Sequence, residues 1–405
     1  LNVPFEEPLY DLAPYAGRHV APTIGKKAPQ SVVLESTSDA SLKLLHNALD
    51  RGRALVVAGS RPLMARLPQV APLQIALPCL AECGSHVEGP QVEFGAERWV
   101  SEKSWKDDWK PEAVLTVGLP PMSKVVRNAL RGIPHWHVRS DLAGFESGWD
   151  IWNRLEGHVH HSILQTPLPQ NAAQWWDAIR LRHKELDADF TCQWSDLLAW
   201  RAIAGVFSSW PEHQRPQCIH VANSASIRYA QYVQLQGVVQ KGAAVYANRG
   251  VAGIDGCTST ALGWHLARQA SKPDANTWLI TGDLAFHYDV NAMLIDSLDS
   301  LKGFKIVVMN NGGGGIFRWL PGTKHATMFE KHFETPTSRS IAGIATSLGA
   351  HFSQAHHIDE LTQGLDALLE NDELGILEIC TPAEQSAVEL TRYMACHGQE
   401  FSSSS

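Results

Sequence analysis

The residues most suited to chemistry stand at the ends of two apolar runs in the C-terminal half of the chain. Asp283 follows one run, and the pair Asn310 and Asn311 follows the next. Carboxylate, amide and backbone carbonyl oxygens form a hard ligand set, which suits Mg²⁺ or Ca²⁺ and does not suit zinc. The glycines at 312–315 let the backbone approach a ligand and turn its N–H groups toward phosphate oxygens. The pattern therefore predicts a divalent cation that holds a diphosphate.

Two buried parallel strands joined by a helix would bring these residues together. The runs 278–281 and 304–309 are short and apolar, as buried strands are, and 289–301 has helical spacing. Because both strands of such a unit end at the same edge of the sheet, we expect Asp283 and the asparagine pair to lie side by side. The competing interpretation is an ordinary crossover, in which these residues cap a helix and a turn.

A second segment places a cation one helical turn after a strand end. The run 218–221 leads into Asn223, Ser224 and Arg228. Ser224 and Arg228 share a helix face and can together hold a carboxylate, the guanidinium by paired hydrogen bonds and the hydroxyl by a third. In the alternative interpretation Asn223 or Ser224 is only an N-cap, and Arg228 pairs with a structural acid.

Two more cations follow predicted strands. Arg249 stands at the end of the strand that begins at 244, before a glycine-rich turn into a helix whose N-terminus favours an anion. Lys124 follows a Pro-Pro-Met-Ser segment at 120–123 and opens a helix at the ligand-facing edge of the sheet. The alternative for Lys124 is a solvated lysine in the first turn of a helix.

The alternation of strands and helices predicts an α/β fold with two doubly wound parallel-sheet domains. A linker is expected over 1–35, a central Rossmann-like domain over 36–185, a second domain over 190–396 and a disordered tail over 397–405. Residues 165–190 are interpreted as the connection between the domains. A chain of 405 residues is long enough for cores of this size.

Composition argues against two classes of function. With 34 Lys and Arg against 42 Asp and Glu, the formal net charge is −8, which speaks against nucleic-acid binding. Without a run of about 18 apolar residues, the sequence predicts no membrane span. Its 7 cysteines are scattered and odd in number, which favours the reducing cytoplasm.

The Gly282-Asp283 pair, the spacer and the Asn310-Asn311 pair resemble the thiamine-diphosphate-binding motif of thiamine-dependent enzymes. Leu284, where that motif usually has Gly, and the glycine-rich ending in Ile-Phe resemble one branch, the 2-succinyl-5-enolpyruvyl-6-hydroxy-3-cyclohexene-1-carboxylate synthases of the menaquinone pathway. The segment Asn-Arg-Gly-x-x-Gly-Ile-Asp-Gly at 248–256 matches the same family almost letter for letter.

The resemblance implies thiamine diphosphate and Mg²⁺, or Mn²⁺, as cofactors. It implies Asp283, Asn311 and the backbone of Gly313 as metal ligands, or Asn310 with Gly312 if one extra residue shifts the register. Ile254 matches the residue that supports the thiazolium ring so that the cofactor bends, and Phe317 matches an aromatic residue of the active site. The cofactor-binding positions implied are Gly253, Ile254, Gly282, Asp283, Leu284, Asn311 and Gly313.

The resemblance also implies a reaction, that of a carbon–carbon bond-forming transferase. It is the decarboxylation of 2-oxoglutarate and the addition of the resulting four-carbon unit to isochorismate, with Lys124, Ser224, Arg228 and Arg249 as contacts for the substrate carboxylates. Another thiamine-dependent 2-oxo-acid decarboxylase or carboligase stays open as an alternative, as does a non-catalytic binding module. A homo-oligomer, either a dimer or a tetramer, is expected.

Members of this family begin with a further α/β domain that supplies a glutamate to the aminopyrimidine ring. The first residues of this chain resemble the linker that follows that domain. We therefore expect the chain to be the central and diphosphate-binding part of a longer enzyme, and to be inactive or nearly so by itself.

Overall fold

The computed structural model describes residues 37–61, 72–95, 97, 100, 110–139, 155–235, 244–250, 252–269, 276–294, 301–320, 323 and 328–396. The predicted linker at 1–35 and the predicted tail at 397–405 lie outside these residues. Within them, no helix is both long and apolar enough to cross a lipid bilayer.

The first sheet has six parallel strands in the order β5-β3-β1-β6-β7-β8, and β2 and β4 form a separate two-stranded sheet. The strands are β1 (Ala54–Ala58), β2 (Leu73–Gln74), β3 (Cys79–Ala81), β4 (Val87–Glu88), β5 (Val92–Phe94), β6 (Ala113–Val117), β7 (His135–Arg139) and β8 (Leu155–His160). The helices are α1 (Asp39–Asp50), α2 (Lys124–Leu130) and α3 (Gln170–Asp189).

Helices cover both faces of this sheet, which is why its central strands β1 and β6 are buried throughout. Every residue of β1 is buried. Val56 belongs to the same core cluster as Leu45 of α1, whereas its neighbour Val57 belongs to the cluster that contains Val126 of α2 and Trp176 of α3. Successive side chains of the strand thus point into two different cores.

The second sheet also has six parallel strands, in the order β10-β9-β11-β12-β14-β13. The strands are β9 (Cys218–Val221), β10 (Ala244–Tyr246), β11 (Thr277–Gly282), β12 (Phe304–Asn310), β13 (His351–Ala355) and β14 (Gly375–Cys380). The helices are α4 (Asp196–Ser209), α5 (Ala225–Tyr232), α6 (Cys257–Gln269), α7 (Asp283–Tyr288), α8 (Ile341–Ser347), α9 (Ile358–Glu370) and α10 (Ala383–Cys396).

This sheet is doubly wound as well. Ile280 of β11 shares a core cluster with Trp200 of α4, and the adjacent Leu279 shares another with Leu262 of α6. The prediction of an α/β fold with doubly wound parallel sheets is therefore confirmed. The domain bounds of 36–185 and 190–396 stay a prediction, and each sheet lies inside one of them.

Two elements differ from the sequence-based expectation. The sequence predicts a crossover helix over 289–301 after β11, but α7 begins already at Asp283, and a short 3-10 turn follows at Val290–Met293; most of the rest of the predicted helix, 295–300, lies outside the described residues. Asp289 does not cap the turn that follows it, because its carboxylate accepts hydrogen bonds from the backbone N–H and the hydroxyl of Ser259 in α6. Residues 165–190, expected to be a connection, contain the whole of the 20-residue helix α3.

The two sheets meet at the end of β3. The N–H of Cys83 donates to Oε1 of Gln231 at 2.7 Å, and Nε2 of Gln231 donates to the carbonyl of Ala81 at 3.3 Å. Gln231 is fully buried, and Cys83 belongs to the core cluster of the second sheet. This contact fixes α5, the helix that carries Arg228, against the first sheet.

Candidate active site

A cavity of about 560 Å³ opens at the carboxyl ends of β9, β11 and β12. The chain reverses its winding direction between β9 and β11, and ligands of open α/β sheets bind at such a switch point. Among the predicted site residues, the cavity is lined by Ser224, Arg228, Arg249, Gly253, Ile254, Gly282, Asp283, Leu284, Asn311, Gly313 and Phe317. The fold thus brings together residues from four distant segments.

Asp283 lines this cavity, with only 2% of its surface exposed. Its Oδ1 accepts a hydrogen bond from the N–H of Leu284 at 2.8 Å, whereas Oδ2 has no hydrogen-bond partner. Burial raises the pKa of Asp283 to about 7, and the charge of Asp196 adds to this rise, against the N–H groups of Leu284, Gly313 and Gly312, which lower it. A bound cation would favour the ionised form of this carboxyl.

The two asparagines after β12 have different surroundings. Asn310 is engaged at both ends of its amide: Nδ2 donates to Glu378 at 2.6 Å, and Oδ1 accepts from the N–H of Gly312 at 3.0 Å. Asn311 donates through Nδ2 to Asp196 at 2.8 Å, and its buried Oδ1 has no partner. Of the pair, Asn311 is therefore the one with a buried oxygen left for a ligand.

The glycine run passes beside Asp283 in a conformation that other residues rarely adopt. Gly312 and Gly313 have φ of +83° and +146°. A Cβ on Gly313 would lie 2.4 Å from the carbonyl oxygen of Glu334, and the N–H of Gly314 donates to that same oxygen at 2.6 Å. The glycine run therefore packs against the segment that ends at Glu334, and its backbone lines the cavity.

These features fit a cation with a diphosphate. Buried polar atoms are almost always hydrogen-bonded, so two unpartnered oxygens at one cavity, Oδ2 of Asp283 and Oδ1 of Asn311, require an explanation. Mg²⁺ and Mn²⁺ accept such oxygens together with phosphate oxygens. The backbone of the neighbouring glycines can approach a phosphate group.

Asn223 organises the opposite wall of the cavity. Its Nδ2 donates to the carbonyls of Asn248 at 2.8 Å and of Gly253 at 2.7 Å, and its Oδ1 accepts from Arg249 at 3.0 Å. For Asn223 the sequence suggested at most an N-cap role, and for Ser224 either an N-cap role or a carboxylate contact beside Arg228. Ser224 occupies the N-cap position with φ of +66° and without a side-chain capping bond. Asn223 instead fixes the turn before Ile254.

Three of the four predicted carboxylate contacts lie at the cavity, and Lys124 does not. Arg228 donates to the carbonyl of Ser224 at 2.7 Å and lines the cavity with Arg249. Lys124 begins α2 and is not among the residues that line the cavity in the described part of the chain. The segment before it is held by Glu82, which accepts from the N–H of Met122 at 2.6 Å.

Glu82 is a buried acid that the sequence analysis missed. Burial raises its pKa to about 8, the charge of Glu97 adds to the rise, and the positive charge of Arg249 opposes it. Asp196 was missed as well. Neither stands in a recognisable motif, and each acquires its partners only through contacts between distant segments.

Two apolar residues complete the cavity. Ile254 is half-buried and packs against the small cluster of Ala222, Cys257 and Ala285. Phe317 also lines the cavity, and its ring meets that of Phe333 edge to face, with 5.7 Å between the centroids. Ile254 therefore both fills a core and presents apolar surface to a ligand.

Comparison with known proteins gives concordant results. Residues 231–379 match the family model described as the thiamine pyrophosphate enzyme, C-terminal TPP binding domain. A 2-succinyl-5-enolpyruvyl-6-hydroxy-3-cyclohexene-1-carboxylate synthase of Cytophaga hutchinsonii is 27% identical over 99% of this chain and 71% of its own length. A synthase of the same name from Flavobacterium johnsoniae is 27% identical over 97% of this chain and 70% of its own length. Another, from Christiangramia forsetii, is 30% identical over 70% of this chain and 48% of its own length.

Proposed function

We propose that this chain, a relative of the 2-succinyl-5-enolpyruvyl-6-hydroxy-3-cyclohexene-1-carboxylate synthases, holds thiamine diphosphate through a divalent cation and acts in the reaction for which those relatives are named. The observation that carries the proposal is the pair of buried, unpartnered oxygens of Asp283 and Asn311 beside the glycine run. The similarity over nearly the whole chain supports it.

Asp283, Asn311 and the backbone carbonyl of Gly313 are the proposed ligands of Mg²⁺ or Mn²⁺. The alternative register, Asn310 with Gly312, is disfavoured because both ends of the Asn310 amide already have protein partners. Gly253, Gly282 and Leu284 line the same cavity and are proposed to contact the rest of the cofactor.

When bound, thiamine diphosphate supplies the electron sink that the loss of CO₂ from a 2-oxo acid requires. The residues of the chain orient and enclose the reacting groups. Ile254 offers an apolar support, and its position is set by the turn that Asn223 ties down. Phe317 excludes water from the same space, which strengthens electrostatic contacts there.

Ser224, Arg228 and Arg249 are the proposed contacts for the carboxylates of 2-oxoglutarate and isochorismate. A guanidinium carries five N–H donors, so Arg228 and Arg249 retain donors for a carboxylate beyond their bonds to Ser224 and Asn223. Lys124 is proposed as a further contact, although it does not line the cavity described here.

The test uses protein expressed from the complete reading frame, with thiamine diphosphate and Mg²⁺. We expect isochorismate to be consumed only when 2-oxoglutarate is present. Consumption of pyruvate or a branched 2-oxo acid instead would identify a different decarboxylase or carboligase. Cofactor binding without turnover of any 2-oxo acid would identify a binding module.

We further propose that the 405-residue chain by itself turns over slowly or not at all. No glutamate is among the described residues that line the cavity, and the family uses one on the aminopyrimidine ring. A cytoplasmic homodimer or homotetramer belongs to the same proposal. Sedimentation of the protein from the complete reading frame measures its oligomeric state.

A further inference from the structure

We propose that Asp196 is a positioning residue, which holds the side-chain amide of Asn311 so that its oxygen faces the bound cation. The inference rests on the proposed function, because it concerns the same cation. Neither the sequence motifs nor the comparisons assign a role to this residue.

Asp196 is the first residue of α4 and is 4% exposed. Its Oδ2 accepts from Nδ2 of Asn311 at 2.8 Å, and its Oδ1 accepts from the hydroxyl of Thr381 at 2.5 Å. Its own N–H donates to the hydroxyl of Ser386 at 2.9 Å. The carboxylate is therefore held by residues at the ends of β12 and β14, and the backbone of Asp196 is held by the start of α10.

The chemistry of the two groups dictates the orientation of the amide. The two ends of an asparagine amide have nearly the same shape, but only the nitrogen end donates hydrogen bonds, and a carboxylate only accepts them. A flipped Asn311 would place two oxygens 2.8 Å apart, at the distance that now separates Nδ2 from Asp196. Asp196 therefore selects the rotamer in which Oδ1 points away from it.

The oxygen selected in this way is the one without a partner. Oδ1 of Asn311 is buried and makes no hydrogen bond, and Oδ2 of Asp283, which lines the same cavity, has none either. A carboxylate that orients a metal ligand from behind is a common arrangement, and its loss typically weakens metal affinity about 10- to 100-fold. We expect an effect of this size for Asp196.

The test is Asp196→Asn, measured as Mn²⁺ binding by electron paramagnetic resonance at saturating thiamine diphosphate. The new amide can donate to Oδ1 of Asn311, which turns the nitrogen of Asn311 toward the cation. We expect Mn²⁺ affinity to fall about 10- to 100-fold. Ser386→Ala is the matched control, because it removes another contact of Asp196 and leaves Asn311 in place. We expect it to change the affinity by less than about threefold.

A reversed pair separates positioning from a merely structural role. Asp196→Asn combined with Asn311→Asp keeps one amide, one carboxylate and the hydrogen bond between them, and it presents a carboxylate oxygen to the cation. We expect this double variant to recover most of the Mn²⁺ affinity lost in the single variant, and such a coupling is what a double-mutant cycle measures. Thermal unfolding in the presence of EDTA reports on the fold of each variant.

The outcomes are distinct. If the wild-type chain binds Mn²⁺ with thiamine diphosphate and Asp196→Asn binds it equally well, the positioning role is wrong. If Asp196→Asn does not fold, the reversed pair decides: recovery supports the role, and continued loss in a folded double variant overturns it. If the wild-type chain binds no Mn²⁺ in the presence of thiamine diphosphate, the proposed cation site is wrong, and the inference fails with it.

Discussion

Replacing Asn223 by alanine should destabilise the wall of the cavity that carries Arg249 and Ile254. Asn223 is 1% exposed, and within the described part of the chain its side chain makes three hydrogen bonds at 2.7 to 3.0 Å, to Asn248, Gly253 and Arg249. Alanine leaves the two carbonyls and the guanidinium without these partners. The turn at 248–253 loses the contacts that tie it to the end of β9.

The expected loss follows from the kinds of bonds removed. Each amide–carbonyl bond contributes roughly 1 kcal/mol to the free energy of unfolding, and the bond to the charged guanidinium contributes about 1.5 to 3 kcal/mol. Asn223→Ala should therefore lower the free energy of unfolding by about 3 to 5 kcal/mol. This is more than most single substitutions cost.

Urea unfolding followed by tryptophan fluorescence measures the effect. Asn371→Ala is a matched control, because the Asn371 side chain accepts one local hydrogen bond, from the N–H of Glu373, far from the cavity. We expect the control to change the free energy of unfolding by less than about 1 kcal/mol. Asn223→Asp keeps the size and the contact to Arg249 but places an acceptor against the two carbonyls.

A loss below about 1 kcal/mol for Asn223→Ala would refute the reasoning, since it would mean that the three bonds contribute no net stability. If Asn223→Asp were as stable as the wild type, the two bonds donated by Nδ2 would not carry the effect. We expect the aspartate variant to lose at least as much stability as the alanine variant.

Two further predictions concern Glu82 and Gly313. Folding raises the pKa of Glu82 from 4.5 to about 8. Between these two pH values the native state keeps a proton that the unfolded state has released, so the free energy of unfolding falls as the pH rises from the lower value to the higher. Glu82→Gln can still accept a hydrogen bond from the N–H of Met122. In urea unfolding at a series of pH values, its free energy of unfolding should fall less between about pH 5 and pH 8 than that of the wild type, and equal slopes of this free energy against pH would contradict the prediction. Gly313→Ala should weaken binding of thiamine diphosphate with Mg²⁺ about tenfold or more, because its methyl group would lie 2.4 Å from the carbonyl oxygen of Glu334. Gly312→Ala, which shares the strain of a positive φ but whose methyl group meets nothing within 4 Å, is the control, and equal losses in calorimetry would argue against a steric cause.

The sheets could be predicted from the sequence because buried parallel strands are short apolar runs. The runs 278–281 and 304–309 correspond to β11 and β12, which end at Gly282 and Asn310. The start of α7 could not be predicted in this way. Asp289 has the residue type of a helix N-cap, and only the fold shows that its carboxylate binds Ser259 in α6.

The meeting of two residues at the cavity could be predicted where they stand in one motif, as Asp283 and Asn311 do, and not where it depends on contacts between distant segments. Asp196 meets Asn311 across a separation of 115 residues, and no local pattern signals that contact. The same applies to Glu82, which reaches the segment before Lys124 from the end of β3. Lys124 illustrates the opposite case: its motif suggested a ligand contact, and the described cavity does not include it.

The most direct test of the central claim is a calorimetric titration of the chain with thiamine diphosphate, with and without Mg²⁺, for the wild type and for Asp283→Ala. We predict binding that requires Mg²⁺ in the wild type, because Oδ2 of Asp283 and Oδ1 of Asn311 are buried without partners beside the glycine run. We predict no measurable binding for Asp283→Ala. Absence of binding in the wild type, or equal metal-dependent binding in the variant, would contradict the proposed cation site.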